Sequence, residues 1–327
     1  MNSLYPLKFK PIFKEKIWGG QKIKTLFNKK FSPLPNCGES WEISGVEENI
    51  SVVSNGFLKG NNLEEIAEIY MCDLLGEKNY EKYGTQFPIL VKLIDSNDWL
   101  SLQVHPNDDL AMKRHKQNGK SEMWYILHAE KNAQLISGFN KELSEKTYLE
   151  KLNNGSLSEV LNYEKAVKGD VFYMPAGRIH ALGPGICLAE IQQTSDVTYR
   201  IHDWGRVDDK GNSRELHTEQ SLEAIDFKRY DDYKLNGTKV LNQSTNMVKS
   251  PHFTTNIIAI DKPYVCDYYS LDSFVIYVCT EGKFKLIYEN GEESVQMGET
   301  VLIPATLSEL KLIPEEKATI LEVFIES

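Results

Sequence analysis

Apolar residues along this 327-residue chain fall mostly into short runs, alternating or continuous, rather than long helical stripes. Phe87–Ile94, Met123–Leu127, Asp170–Met174, Ile186–Ile191 and Ser273–Cys279 each read as a strand. Gly, Pro, Asn and Asp separate these runs, as in a barrel or sandwich with many turns. Helices are expected only as inserts covering the outside or one mouth of the β structure. Asn62 followed three residues later by Glu65 predicts a capping box. Leu63, Ile66, Ala67, Tyr70 and Leu74 then share one helical face, and Gly76 is a plausible stop. A second helix is predicted near Ser144–Leu152, closing at Asn154-Gly155. Ser156 with Glu159 offers a cap for a third, short one through Leu161.

The pattern breaks down over Asp231–Pro251, which is polar, rich in Asn, Ser and Thr, and poorly periodic. It reads as a linker between an N-terminal unit, residues 1–235, and a C-terminal β unit, residues 252–327. Hairpin-like runs surround Glu281-Gly282 and Asn290-Gly291 in the second unit. A weak repeat joins the two units. Gly169–Gly177 (GDVFYMPAG) and Gly298–Thr306 (GETVLIPAT) share Gly, an acidic residue, an apolar strand and Pro-Ala, and only the first copy runs on to a histidine, His180. Two related barrels are expected, one of them without a site.

Composition adds mainly exclusions. The hydrophobic fraction of 41% and charged fraction of 26% are those of a globular protein. A formal charge of −10 argues against broad nucleic-acid binding, yet leaves room for a local cation cluster around a small phosphorylated substrate. No apolar run reaches the roughly 18 residues that a membrane-spanning helix needs. Lys8, Lys10, Lys14 and Lys16 interrupt the N-terminus where a signal peptide would be apolar. The five scattered cysteines contain no CxxC and read as reduced thiols, so a cytoplasmic protein without a membrane partner is expected.

Three segments carry metal-ligand chemistry. In Ser101–Pro106 a strand period of two puts Ser101, Gln103 and His105 on one face. Glu122 stands at the entrance of an aromatic strand. Pro175–His180 is a tight turn that would direct His180 inward. Two imidazoles and a carboxylate suit zinc or a similar divalent ion, with an amide oxygen or water completing the shell. Lys92 interrupts an apolar run and must face either solvent or a polar pocket.

The Gly169–His180 segment matches the second cupin motif, G-x5-P-x-G-x2-H, although Pro184 stands where that motif ends in Asn. The first motif, usually His-x-His and a nearby Glu, is here Gln103-x-His105, with Glu122 17 residues on. In this altered form the chain resembles the type I mannose-6-phosphate isomerases (phosphomannose isomerases), a zinc-dependent cupin family. The likeness also takes in Trp18-Gly19-Gly20, Gly38–Glu42, Gly119–Tyr125 and Ser195–Arg200. It implies a mainly β protein of two cupin-type (jelly-roll) barrels with short helical inserts. It implies one Zn2+ per chain held by His105, Glu122, His180 and, less strictly, Gln103. It implies catalytic roles for Arg200 and Lys120, and a pocket lined by Ser101, Lys92, Glu39 and Trp18. The expected reaction interconverts mannose 6-phosphate and fructose 6-phosphate through an enediol(ate). If Ser195–Arg200 continues as a strand, Asp196, Arg200 and His202 share a face, and Asp196 could orient Arg200 or relay a proton. Another cupin metalloenzyme and a non-catalytic sugar-phosphate-binding protein are the competing readings; Lys120 and Arg200 beside the ligand set favour the isomerase. The oligomeric state is left open.

Overall fold

The structure, a computed structural model, describes residues 3–207, 211–235 and 237–326. It is mainly β, and its pairings are antiparallel apart from one isolated bridge. The first sheet orders Ile12–Lys14, Glu39–Ile43, Ile89–Ser96, Ile186–Gln193, Glu122–Ala129, Val171–Met174 and Lys234–Leu235 side by side. The second orders Tyr199–His202, Leu102–Val104, His180–Leu182, Gln134–Phe139 and Leu161–Lys165. The third runs Gln243–Lys249, Thr254–Ile260, Glu309–Phe324, Val275–Tyr288 and Gly291–Gln296. Tyr264–Asp267 and Thr300–Ile303 pair on its two long strands. These are open, stacked sheets rather than closed barrels, because the edge strands of the first two sheets do not pair with one another.

Alternation along each strand decides what the sheets bury. On the first sheet Ile94, Trp124, Ile126 and Leu188 face Leu135 and Leu182 of the second sheet. Their neighbours Leu93, Met123, Tyr125 and Ile191 point the other way, into a core shared with Ile257, Ile276, Val278 and Leu321 of the third sheet. Each fully buried Leu or Ile in such a layer contributes about 1.5–3 kcal/mol. The third sheet therefore stands back to back with the first.

The Asn62 helix forms as the sequence predicts, over Leu63–Leu75 with both halves of the capping box made, and its five apolar positions are buried. Its end ties the sheets together: Leu74 and Leu75 carbonyls accept from Ala305 and Phe274 of the C-terminal part. Ser144 caps Glu145–Asn153. The third predicted helix is instead one 3-10 turn, Leu157–Val160. Ser156 is drawn off to Asn154 and Glu159 to Lys151 (2.6 Å), so no capping box closes. Short helices at Lys22–Phe27, Glu77–Tyr83, Asp108–His115 and Thr218–Ala224 were not evident in the sequence. No helix among the described residues is long and apolar enough to cross a membrane.

Two further expectations change. The polar stretch Asp231–Pro251 is not a bare linker: Lys234–Leu235 pairs with Val171–Phe172 and Gln243–Lys249 is the edge strand of the third sheet. An edge strand with only Met247 and Val248 buried leaves no alternation to read; Asn236 lies outside the described residues. At Glu281-Gly282 there is no hairpin, since one strand runs on through two bulges. Gly282 adopts φ 75° there, and a Cβ would lie 1.9 Å from the Lys317 carbonyl oxygen. The Asn290 hairpin exists, but Glu289-Asn290 forms its turn because Tyr288 pairs with Gly291.

The repeat extends far beyond the nine residues visible in the sequence. In the first sheet Trp41, Lys92, Glu190, Trp124 and Phe172 form one cross-strand row. In the third, Asn246, Asn256, Glu322, Tyr277 and Val301 form the same row on strands in the same order. The bulge after Trp41 recurs after Asn246, and the bulge at Leu188 opposite Ile126 recurs at Ile320 opposite Cys279.

Candidate metal centre

Glu122 opens the Glu122–Ala129 strand and is fully buried. His105 follows the Leu102–Val104 strand, and His180 begins His180–Leu182 after the turn in which Arg178 N–H donates to the Pro175 carbonyl at 3.0 Å. His105 Nε2 lies 3.5 Å from Glu122 Oε2, and His180 Nε2 lies 3.3 Å from Oε1. Both rings are anchored from behind. His105 Nδ1 is 3.0 Å from the Val197 carbonyl and His180 Nδ1 is 2.8 Å from the Arg178 carbonyl. A carbonyl can only accept, so each Nδ1 carries the proton and each Nε2 turns a lone pair toward the carboxylate. Burial first, then the cationic Lys120, holds His105 well below its usual pKa; burial also lowers His180. With each Nδ1 proton spent on a carbonyl and burial disfavouring a second one, both Nε2 lone pairs face Glu122.

Lone pairs facing a buried carboxylate need a cation. His105 Nε2 and both Glu122 oxygens have no hydrogen-bond partner, and one ligand atom from each of the three residues lies within 4.8 Å of the others. Buried polar atoms are rarely left so. The donor set fits one divalent ion of zinc type. Gln103 reaches in from the strand beside His180, its Nε2 3.2 Å from His180 Nε2. A half-turn of the amide would present its oxygen.

A cavity of about 320 Å³ adjoins these ligands. Five cations line it (Lys16, Lys92, Lys120, Arg200 and Arg214) together with Trp18, Glu39, Ser101, Gln103, Glu190, Asp196 and Thr198. Lys120 Nζ is 3.8 Å from Glu122 Oε2, and burial followed by the Lys92 charge lowers its pKa. Lys92 is buried and donates to Glu190 (3.0 Å) and Gln192 (2.7 Å). Burial opposes its charge, but Glu190, Glu39 and Glu122 outweigh that and raise its pKa. Glu39 accepts from Trp41 Nε1 at 2.8 Å and pairs with Lys16 at 3.2 Å. Against burial, Lys92 and Lys16 hold its pKa down at about 2.

Arg200, Gln103 and His180 form a second cross-strand row. Arg200 Nη1 donates to the Glu215 carbonyl at 2.8 Å, and its buried Nε is unpartnered. Asp196 lines the pocket from an exposed position and makes no ion pair with Arg200 among the described residues. His202 leaves their common face because the register shifts between Arg200 and His202, and it packs edge-on against Trp204 instead.

Of the residues singled out in the sequence, His105, Glu122, His180, Gln103, Lys120, Arg200, Ser101, Lys92, Glu39, Asp196 and Trp18 lie at or beside this pocket, and His202 does not. Missed were Glu190, Gln192, Lys16 and Arg214. Glu190 had a signal, a carboxylate interrupting an apolar strand directly opposite Lys92, which interrupts another. Arg214 had none: it is aimed by Asp203, which accepts from its Nε (2.7 Å) and Nη2 (2.5 Å) and also from Arg206.

Fold and site thus define a β-sheet protein with a candidate metal centre at the wall of a cation-lined pocket. Residues 6–122 match the family description "Phosphomannose isomerase type I, catalytic domain". The chain is 34% identical to the mannose-6-phosphate isomerase ManA of Bacillus subtilis, over 94% of this chain and 95% of that one. It is 35% identical to the mannose-6-phosphate isomerase of Streptococcus mutans, over 76% and 77%. The crystal structure of a Bacillus subtilis mannose 6-phosphate isomerase superposes with a TM-score of 0.87 at 30% identity, covering 97% of this chain and 99% of that one. The chain belongs to the type I mannose-6-phosphate isomerase family.

Proposed function

We propose that this chain interconverts mannose 6-phosphate and fructose 6-phosphate, using one Zn2+ held by His105, Glu122, His180 and Gln103. The observation that carries this reading is the unpartnered buried Glu122 carboxylate faced by the bare His105 Nε2 and by His180 Nε2, beside a pocket with five cations. When bound, the ion supplies Lewis-acid stabilisation of negative charge developing on sugar oxygens. Aldose–ketose exchange then needs a proton moved between C1 and C2. Lys120, buried at the pocket wall and close to the ligand set, is the group we assign to it. Arg200 is permanently charged and cannot serve as a base; its fork stabilises the enediolate or the phosphate. Lys92, Ser101 and Glu39 bind the sugar, and Asp196 guards the rim. Residues 1–235 form the catalytic unit of two cupin-type units, the second being residues 252–327 with the preceding edge strand. The five free cysteines support a cytoplasmic location.

Purified protein should contain zinc and convert mannose 6-phosphate in an assay coupled to fructose 6-phosphate, and a chelator should abolish turnover. A folded, metal-replete sample without turnover would refute the isomerase reading. Arg200→Ala should keep its metal and lose roughly 10²–10³-fold in kcat/KM, the cost of one stabilising donor. His180→Ala should lose the metal first.

A further inference from the structure

The back-to-back repeat allows the two halves to be compared residue by residue. Opposite Ile94, the first half places Glu39; opposite the corresponding Ile258, the second places Ser244. Lys92 is matched by Asn256, Glu190 by Glu322 and Trp124 by Tyr277. Glu122, opposite Met174, is matched by Val275, opposite Ile303. Metal chemistry is thus deleted from the second copy, and the sequence holds no histidine after His252. The polar wall is not deleted. A second cavity of about 280 Å³ opens at this same place in the second copy, lined by Ser244, Asn256 and Glu322. That is close to the ~300 Å³ lower end of ligand clefts.

We propose that this cavity is a second, metal-free binding site, and that it takes a neutral monosaccharide. The wall is built as the catalytic one is. Glu322, 5% exposed, accepts from Asn256 (2.8 Å), Ser244 (3.0 Å) and the Tyr268 hydroxyl, as Glu190 accepts from Lys92 and Trp124. Tyr268 also bonds the Tyr277 hydroxyl at 2.5 Å. Hydroxyls and an amide both donate and accept, which matches the hydroxyls of a sugar. Tyr264 and Phe324 supply flat apolar surface for its C–H face. Among the described residues no Lys or Arg lines the cavity, and Asp267 adds a second carboxylate to Glu322, so a phosphate is repelled. Replacing Lys92 by Asn at the equivalent position is what converts a sugar-phosphate wall into a neutral-sugar wall.

The full chain, titrated with D-mannose, D-glucose and D-fructose by calorimetry and saturation-transfer NMR, is expected to bind at least one of them saturably at one site. Binding should survive His180→Ala. It should be lost in Ser244→Trp, because Ser244 is exposed at the rim and the indole fills the cavity without entering a core. Turnover of mannose 6-phosphate by Ser244→Trp should be unchanged. Asn256→Ala, a milder change, should weaken binding by about tenfold, the worth of one good hydrogen bond. Absence of saturable binding by all three sugars, or binding that Ser244→Trp and Asn256→Ala leave intact, would overturn the proposal. Either result leaves the isomerase reading standing, since that is read from turnover.

Discussion

The two halves of this protein are one arrangement of strands used twice, and they differ in where charge is buried. The N-terminal copy buries Lys92, Glu190 and Glu122 in and beside one cross-strand row; the C-terminal copy keeps a single buried carboxylate, Glu322, among hydroxyls and an amide. Burying several charges is costly unless each is paired or ligates a metal. In the first half Lys92 is paired to Glu190, while Glu122 needs the ion. The second half avoids that cost with Val275 and Asn256 and gives up the metal with it. Strand register, including two matching bulges, is thus retained where side-chain chemistry is not, since register is set by the apolar faces packed into the shared core.

Exchanging residues between equivalent positions tests this contrast directly. Glu122→Val, which installs the residue of the second copy, should have the largest effect. Metal analysis should find the centre empty, and turnover should fall by more than the ~10²–10³-fold that one lost stabilising donor costs. Retained stoichiometric metal would show that the two histidines and Gln103 suffice.

Lys92→Asn should come next. It leaves Glu190 as a buried carboxylate without its cation, which costs about 3–5 kcal/mol in urea unfolding. The mirror change, Asn256→Ala, breaks a bond to a carboxylate that keeps two other donors, and should cost only about 1–3 kcal/mol. Equal losses at the two positions would mean that the halves do not differ in buried charge as described.

Glu39→Ser, copying Ser244, should have a smaller and pH-dependent effect. The folded Glu39 pKa is lowered from 4.5 to about 2. Its ion pairs therefore stabilise the fold fully above pH 4.5, and that contribution, at most ~3 kcal/mol, fades as pH falls toward 2. The variant should lose this part of the acid limb in unfolding measured across pH 2–6, leaving a flatter curve. An unchanged limb would remove Glu39 from the network.

The mildest change lies on the seam between the halves. Asn62→Ala removes a helix cap and should cost about 1 kcal/mol in thermal unfolding. Metal content should stay as it is, because the helix touches the C-terminal half and not the ligands.

Much of this was readable in the sequence. The capping box at Asn62 and Glu65, the strand at Glu122 and the turn at Pro175–His180 follow from local chemistry, and local chemistry is what a sequence records. His105, Glu122 and His180 could be nominated because ligand-type residues at strand ends and a turn fall within segments that resemble the cupin motifs; the period of two by itself only placed His105 on a face with Ser101 and Gln103. The edge strand Gln243–Lys249 was illegible because most of it is exposed on both faces and only the consecutive Met247 and Val248 are buried, so no alternation is written into it. Glu190 left only a partial signal, a carboxylate in an apolar strand whose partner Lys92 is reached through strand pairing, and Arg214 was illegible because Asp203, which aims it, is reached through a long loop. The sequence by itself determined the ligand types, the β character and a nine-residue hint of repetition. Only the tertiary structure decided that the imidazole lone pairs meet on one bare carboxylate, and that the repeat carries a second polar cavity, because both depend on cross-strand register between segments distant in the chain.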